Sequence, residues 1–195
     1  MLTLARAINR LFADNLWIFG GDYIRTGGFD RFLVRPVNPL FHLLADRFNH
    51  DGIGEFALGA LLVGKATMAL GIAWTPLKVL YLVIAVLSGG LIVIALNLIT
   101  CVSAFWIMDA WPVTLGVYET NEFAKYPLSI YGRGVTLLMT WVIPYGFASY
   151  YPAKYILGRD GVLMGWLAPV VAAVLFTLAY RFWLFGLRHY SGTGS

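Results

Sequence analysis

Residues 79–108 read VLYLVIAVLSGGLIVIALNLITCVSAFWIM, thirty residues without an Asp, Glu, Lys or Arg. A helix of that length is ~45 Å long, against ~30 Å of bilayer hydrocarbon. The stretch therefore crosses a membrane with tilt, with a bend near Gly89-Gly90, or with its last turns in the interface. The whole chain agrees with this reading. It has 195 residues, 59% hydrophobic and 12% charged, and a mean hydropathy of +0.74. A soluble domain is about 45–50% apolar and ~25% charged. Halving the charge leaves too little polar surface to coat a water-soluble globule. That excludes a secreted disulfide scaffold, a disordered regulator and an ordinary cytosolic enzyme. The expected fold class is an all-α integral membrane protein.

Three further stretches supply the ~20 mostly apolar residues of a spanning helix. They are 53–74, 128–151 and 161–185, beside 79–105 for the opening stretch. The chain reads as one membrane domain over 1–195, with residues 1–52 as a cytoplasmic arm. Four spans put both chain ends on one side. Ten Lys and Arg fall there, in residues 1–52, the 109–133 loop and the tail, against Lys78, Lys154 and Arg159 opposite. The positive-inside rule then predicts cytoplasmic termini. Trp and Tyr mark the interfaces: Trp74, Tyr81, Tyr150, Tyr151 and Trp166 outside, Trp106, Trp111, Tyr126 and Trp183 inside. The single cysteine, Cys101, excludes an intramolecular disulfide and a cysteine-rich metal site. The basic residues form no run, so nucleic acid is not an expected partner, while membrane lipids are.

The arm contains GGFDRFLVRPVNPLFHLLADRFNHD at 27–51. Val37, Leu40, Phe41, Leu44 and Phe48 recur at helical spacing, with Asn38, His42, Asp46 and Asn49 on another face. That pattern is an amphipathic helix suited to the membrane interface. Before it, Phe29 and Phe32 alternate with Asp30, Arg31 and Arg35 around the helix-breaking Pro36. A short helix, a break and an interfacial helix suit either a lipid anchor or a docking element for a cytoplasmic partner.

Three stretches carry a resemblance: GGFDRFLVRPVNPLF at 27–41, YPLSIYGRG with IPYGFASYYPA within 126–153, and FWLFGLRHYSGTGS at 182–195. In this order they resemble a bacterial branch of the permease subunits of type-2 ATP-binding cassette (ABC) exporters. The resemblance implies a multi-pass protein of the bacterial inner membrane, paired with a second permease chain, the same or a relative. It implies an ABC ATPase subunit that holds the ATP and Mg, so that this chain carries no catalytic residue, metal or cofactor. It also implies ATPase docking by Phe29, Asp30, Arg31, Arg35, Pro36, Asn38, Pro39 and Phe41. Such permeases have six spans where this chain supplies four. Residues 1–20 have the character of the inner end of a shortened second span, so a missing N-terminal part is expected.

Gly59 to Ala66 nearly matches a P-loop, but Ala66 stands where Ser or Thr must hold Mg²⁺, and no strand precedes it. Lys65 is an intramembrane charge, a candidate for a transport pathway or for a partner-facing position. Asn97 is a candidate for interhelical hydrogen bonding. Gly161 and Gly165, with Ala168 and Ala172, make a small-residue stripe suited to close helix contact. Pro144, Pro152 and Pro169 predict bent or partly re-entrant helices near 145–154. His42, Asp46 and His50 read as the polar side of the amphipathic helix. An ion-coupled secondary transporter or a non-transporting assembly subunit are the alternatives. The first lacks intramembrane carboxylates, Glu55 being the one nearest a span.

Overall fold

The computed structural model describes residues 1–107, 110–159 and 162–190, and every regular element among them is helical. Helix α1 (Leu2–Ala13) runs on through α2 (Asn15–Ile18) and a π-helical stretch, Phe19–Ile24. Two short helices follow, α3 (Asp30–Leu33) and α4 (Pro39–Ala45). Then come α5 (Asp51–Ala69) and α6 (Pro76–Val102). After α7 (Trp111–Glu119) the chain breaks into short pieces: α8 (Arg133–Leu137), α9 (Tyr145–Ala148), α10 (Tyr150–Ile156) and α11 (Val162–Trp166). Helix α12 (Ala168–His189) closes the fold.

Among the described residues, three helical segments are long and apolar enough to cross a membrane: Asp51–Ala69, Pro76–Phe105 and Val162–His189. They correspond to three of the expected spans, with shifted ends. Helix α5 stops early because Gly71 takes a left-handed φ of 60°, a conformation that ends helices. Helix α6 starts early because the Thr75 side chain caps Lys78 N–H and Pro76 suits a first turn. The expected span 128–151 does not form. Pro144 lacks an N–H, and Ser149 sits at φ −142°, ψ −56°, outside the helical region. The helix that begins at Arg133 widens to a π-helix at Leu138–Val142 and ends there. This is the bent region the prolines predict.

Helix α6 is the centre, with α1 and α12 packed along it. Lipid tails are as apolar as leucine, so such helices associate through close van der Waals approach. Gly89 and Gly90 allow it. A Cβ on Gly90 would stand 2.8 Å from the Ile8 Cβ, and one on Gly89 would stand 2.9 Å from the Ala148 carbonyl oxygen. These neighbours also set direction. Ala5 meets Gly89 and Gly20 meets Ala104, so α1 runs parallel to α6. Leu11 meets Gly52 and Leu4 meets Gly59, so α5 runs antiparallel to α1. Residues 1–24, expected as the start of an arm with the character of a shortened span, thus form a helix within the bundle.

The expectation places both termini on one cytoplasmic side, and in the structure Met1 and Tyr190 lie toward opposite ends of α6. Met1 packs with Tyr81, Ile156 and Trp166 near the start of α6. Tyr190 packs with Phe29 and Phe105 at its far end. The sidedness assumed four complete spans, and α1 and the broken 128–157 segment do not alternate that way. Lys125 and Arg133 are displaced likewise. Lys125 lines a cavity with Met1 and Ser149, and Arg133 lines one with Lys154, away from the end that holds Arg31 and Arg35.

Candidate functional site: the coupling end

At the end of the bundle where α6 and α12 finish, residues 19–48 fold back beneath the spans. Apolar rings fasten them there. The Phe29 ring is fully buried, 5.2 Å from Phe19, 5.8 Å from Phe105 and Trp183, and 5.4 Å from Tyr190, centre to centre. Edge-to-face contacts of this kind contribute ~0.5–1.5 kcal/mol each beyond burial. One side chain from the coupling segment therefore touches the ends of three separate helical stretches.

Polar contacts complete the attachment. The Tyr190 hydroxyl donates to Asp30 Oδ1 at 2.8 Å. Arg31 pairs with Asp46 at 2.7 Å, and its guanidinium lies over the Phe32 ring at 4.7 Å. The Tyr23 hydroxyl donates to the same Asp46 carboxylate at 2.8 Å. Burial first, then this carboxylate, push the Tyr23 phenol up to about 12. Asn38 caps α4 by accepting from Leu40 and Phe41 N–H, and its amide donates to the Tyr180 hydroxyl at 2.7 Å. Pro39 supplies the first turn of α4, where its missing N–H costs nothing. From α2, the Asn15 side chain donates to the Leu43 carbonyl at 2.7 Å.

The sequence-predicted docking residues thus divide. Phe29, Asp30, Arg31, Asn38 and Pro39 face or join other parts of the chain. Arg35, Pro36 and Phe41 remain on the surface, where Arg35 donates to His42 Nε2 at 3.2 Å. Beside them stand Val34, 82% exposed, and Val37. With Phe41, 66% exposed, they form an apolar edge around one cation. Sequence reasoning had placed Val37 and Phe41 with Leu40 on one membrane-facing stripe. Instead Leu40 and Leu43 are the buried pair, because α4 is only seven residues long and turns inward at its cap. Val34 carried no signal of its own in the sequence. Tyr180 and Tyr190 were missed as partners because nothing local links them to residues 30–38.

The remaining candidates lie elsewhere. Lys65 is exposed on the outer face of α5. Asn97 is buried and donates to Asn9 Oδ1 at 2.9 Å, an interhelical bond between α6 and α1. Pro144 is buried at the break before α9. Gly165 is buried against α6, where a Cβ would stand 2.7 Å from the Tyr81 hydroxyl. Gly161 lies outside the described residues. Residues 59–66, the near P-loop, are mid-helix in α5. His42, Asp46 and His50 turn to different partners: Arg35 with the Phe32 ring, Arg31 with Tyr23, and the Phe48 ring.

Apolar helices long enough to cross a membrane thus carry a folded-back segment with an exposed apolar edge. Residues 1–194 match the ABC-2 family transporter proteins. The chain belongs to this family. It is therefore the permease component of an ABC transporter, a multi-pass membrane protein. In such systems ATP hydrolysis is the work of a partner. Comparison with curated proteins and with solved structures finds no match.

Proposed function

We propose that this chain is the membrane subunit through which a separate ABC ATPase drives export across the bacterial inner membrane. The ATPase holds ATP and Mg²⁺, this chain being non-catalytic. A second permease chain, identical or related, completes the path. The coupling end faces the cytoplasm, and residues 34–41 receive the ATPase. The observation that carries this reading is the exposed edge Val34, Arg35, Val37 and Phe41 on a segment fastened to the spans. A push on that edge would reach α12 and its end through Asn38–Tyr180 and Asp30–Tyr190.

The test is capture of the tagged chain from native membranes in mild detergent, with mass spectrometry of what accompanies it. An ABC ATPase is expected with the native chain and absent with Val34→Glu plus Phe41→Glu. Both positions are exposed, so folding is left intact. Capture without an ATPase, or an ATPase retained by the double variant, overturns the reading.

A further inference from the structure

At the opposite side of the bundle from the coupling end, residues 128–142 and α10 enclose a cleft of about 410 Å³. Arg133 and Lys154 both line it, with Tyr150, Tyr151, Thr136 and Leu137. Several cations of the first half of the chain meet carboxylates. Arg6 and Arg10 meet Glu55, Arg31 meets Asp46, and Arg47 meets Asp22. Lys125, nearby, meets Glu122 at 2.6 Å. Arg133 and Lys154 have no carboxylate partner among the described residues, and no carboxylate lines the cleft. Lys154 Nζ lies 5.8 Å from the Tyr150 ring centre, and the Tyr151 hydroxyl meets Thr140 Oγ1 at 2.9 Å.

Two cations that line one cleft repel each other, and an anion between them offsets that cost. A guanidinium and an ammonium are the two side chains that bind phosphate and carboxylate best. The wall beyond them is apolar. Leu137 lines the cleft, and Leu138, Trp141 and Val142 continue the exposed face from it. A polar, positive floor beside an apolar wall matches a molecule with an acidic head and a hydrocarbon tail.

We propose that this cleft binds the acidic head of a membrane amphiphile, between Arg133 and Lys154, with its tail along Leu137, Leu138 and Trp141. As the place where cargo is held, it rests on the membrane-subunit reading. The binding itself needs no ATPase, so failure of ATPase capture leaves the following titration interpretable.

The purified full chain in neutral detergent is titrated calorimetrically with three probes. These are a short-chain phosphatidic acid, the phosphatidylcholine with the same chains, and inorganic phosphate. The phosphatidic acid is expected to bind saturably, at least about tenfold more tightly than either other probe. Arg133→Gln with Lys154→Gln is expected to abolish that preference. Arg133→Lys with Lys154→Arg is expected to keep most of it. Lys78→Gln with Arg188→Gln removes the same net charge away from the cleft and is expected to leave it unchanged. Equal binding of the two lipids, or a preference that survives Arg133→Gln with Lys154→Gln, overturns the proposal. So does a loss of equal size in the distant variant. Inorganic phosphate binding as tightly as phosphatidic acid overturns the amphiphile and leaves a site for the free anion.

Discussion

The two ends of this molecule are built in opposite ways. At the coupling end, the rings of Phe19, Phe32, Phe105, Trp183 and Tyr190 close on Phe29, and Asp30, Arg31 and Arg47 each have a partner. At the other end, residues 128–157 come as short helices broken at Pro144 and Ser149, with an open cleft whose Arg133 and Lys154 meet no carboxylate among the described residues. Between them α6 runs the full length, held to α1 by the Gly89-Gly90 approach. On the proposed function, the ring-locked end moves as a unit with the spans and the broken end rearranges, since weakly packed segments are the ones that open at low cost.

The comparison breaks most sharply at Phe29. Phe29→Ala empties the ring cluster and should destabilise the fold by about 3–5 kcal/mol. Trp141→Ala removes a larger side chain at the opposite end, where it is 61% exposed, and should change stability by less than about 0.5 kcal/mol. Thermal unfolding of both variants in the same detergent checks this, and equal losses would mean the two ends are equally packed. A smaller effect is expected midway. Gly90→Val drives a side chain into Ile8 and should cost about 1–3 kcal/mol by forcing α1 from α6. Cysteine cross-linking between Ile8→Cys and positions on α6 would report the separation directly.

Much of this contrast was legible in the residues, and the part that was not has a physical reason. Apolar length is what a bilayer selects, so 53–74, 79–105 and 161–185 announced themselves through composition alone. The stretch 128–151 is as apolar as a span, and composition does not separate a crossing helix from a re-entrant one. Its break was written in Pro144, which lacks a ladder donor. A charge count reads sidedness only when the loops are in the right place. Lys125 and Arg133 were counted in a cytoplasmic loop that the fold sends back along the bundle. At the coupling end, residues 29–41 drew notice as a cluster. Which of them face outward depended on partners far along the chain: Tyr190 stands 160 positions from Asp30, and Tyr180 stands 142 from Asn38. Local pattern carries no information about such pairs. Asn97 was the exception, since a lone amide deep in a span must find a partner, and Asn9 is that partner.

The smallest expected effect concerns how the coupling end responds to alkali. Tyr23 lies outside the three spans, and its hydroxyl shares Asp46 with Arg31. Burial and the carboxylate hold its phenol at about 12 in the folded chain, above the ordinary value of 10.0. A group whose folded pKa is raised holds its proton more tightly when folded. Its contribution is therefore whole below the unfolded value and lost as pH rises from 10 toward 12. The Tyr23–Asp46 bond should contribute on the order of 1 kcal/mol. Thermal transitions of the native chain should fall more steeply between about pH 8 and about pH 11.5 than those of Tyr23→Phe, which has no phenol to ionise. Other tyrosines and lysines titrate over the same range in both proteins, so the difference between the two curves isolates Tyr23. The two proteins should differ at the lower pH and converge at the higher. Parallel curves would mean that the ring of Tyr23, packed on Phe19 and Phe32, holds the coupling end without help from its hydroxyl.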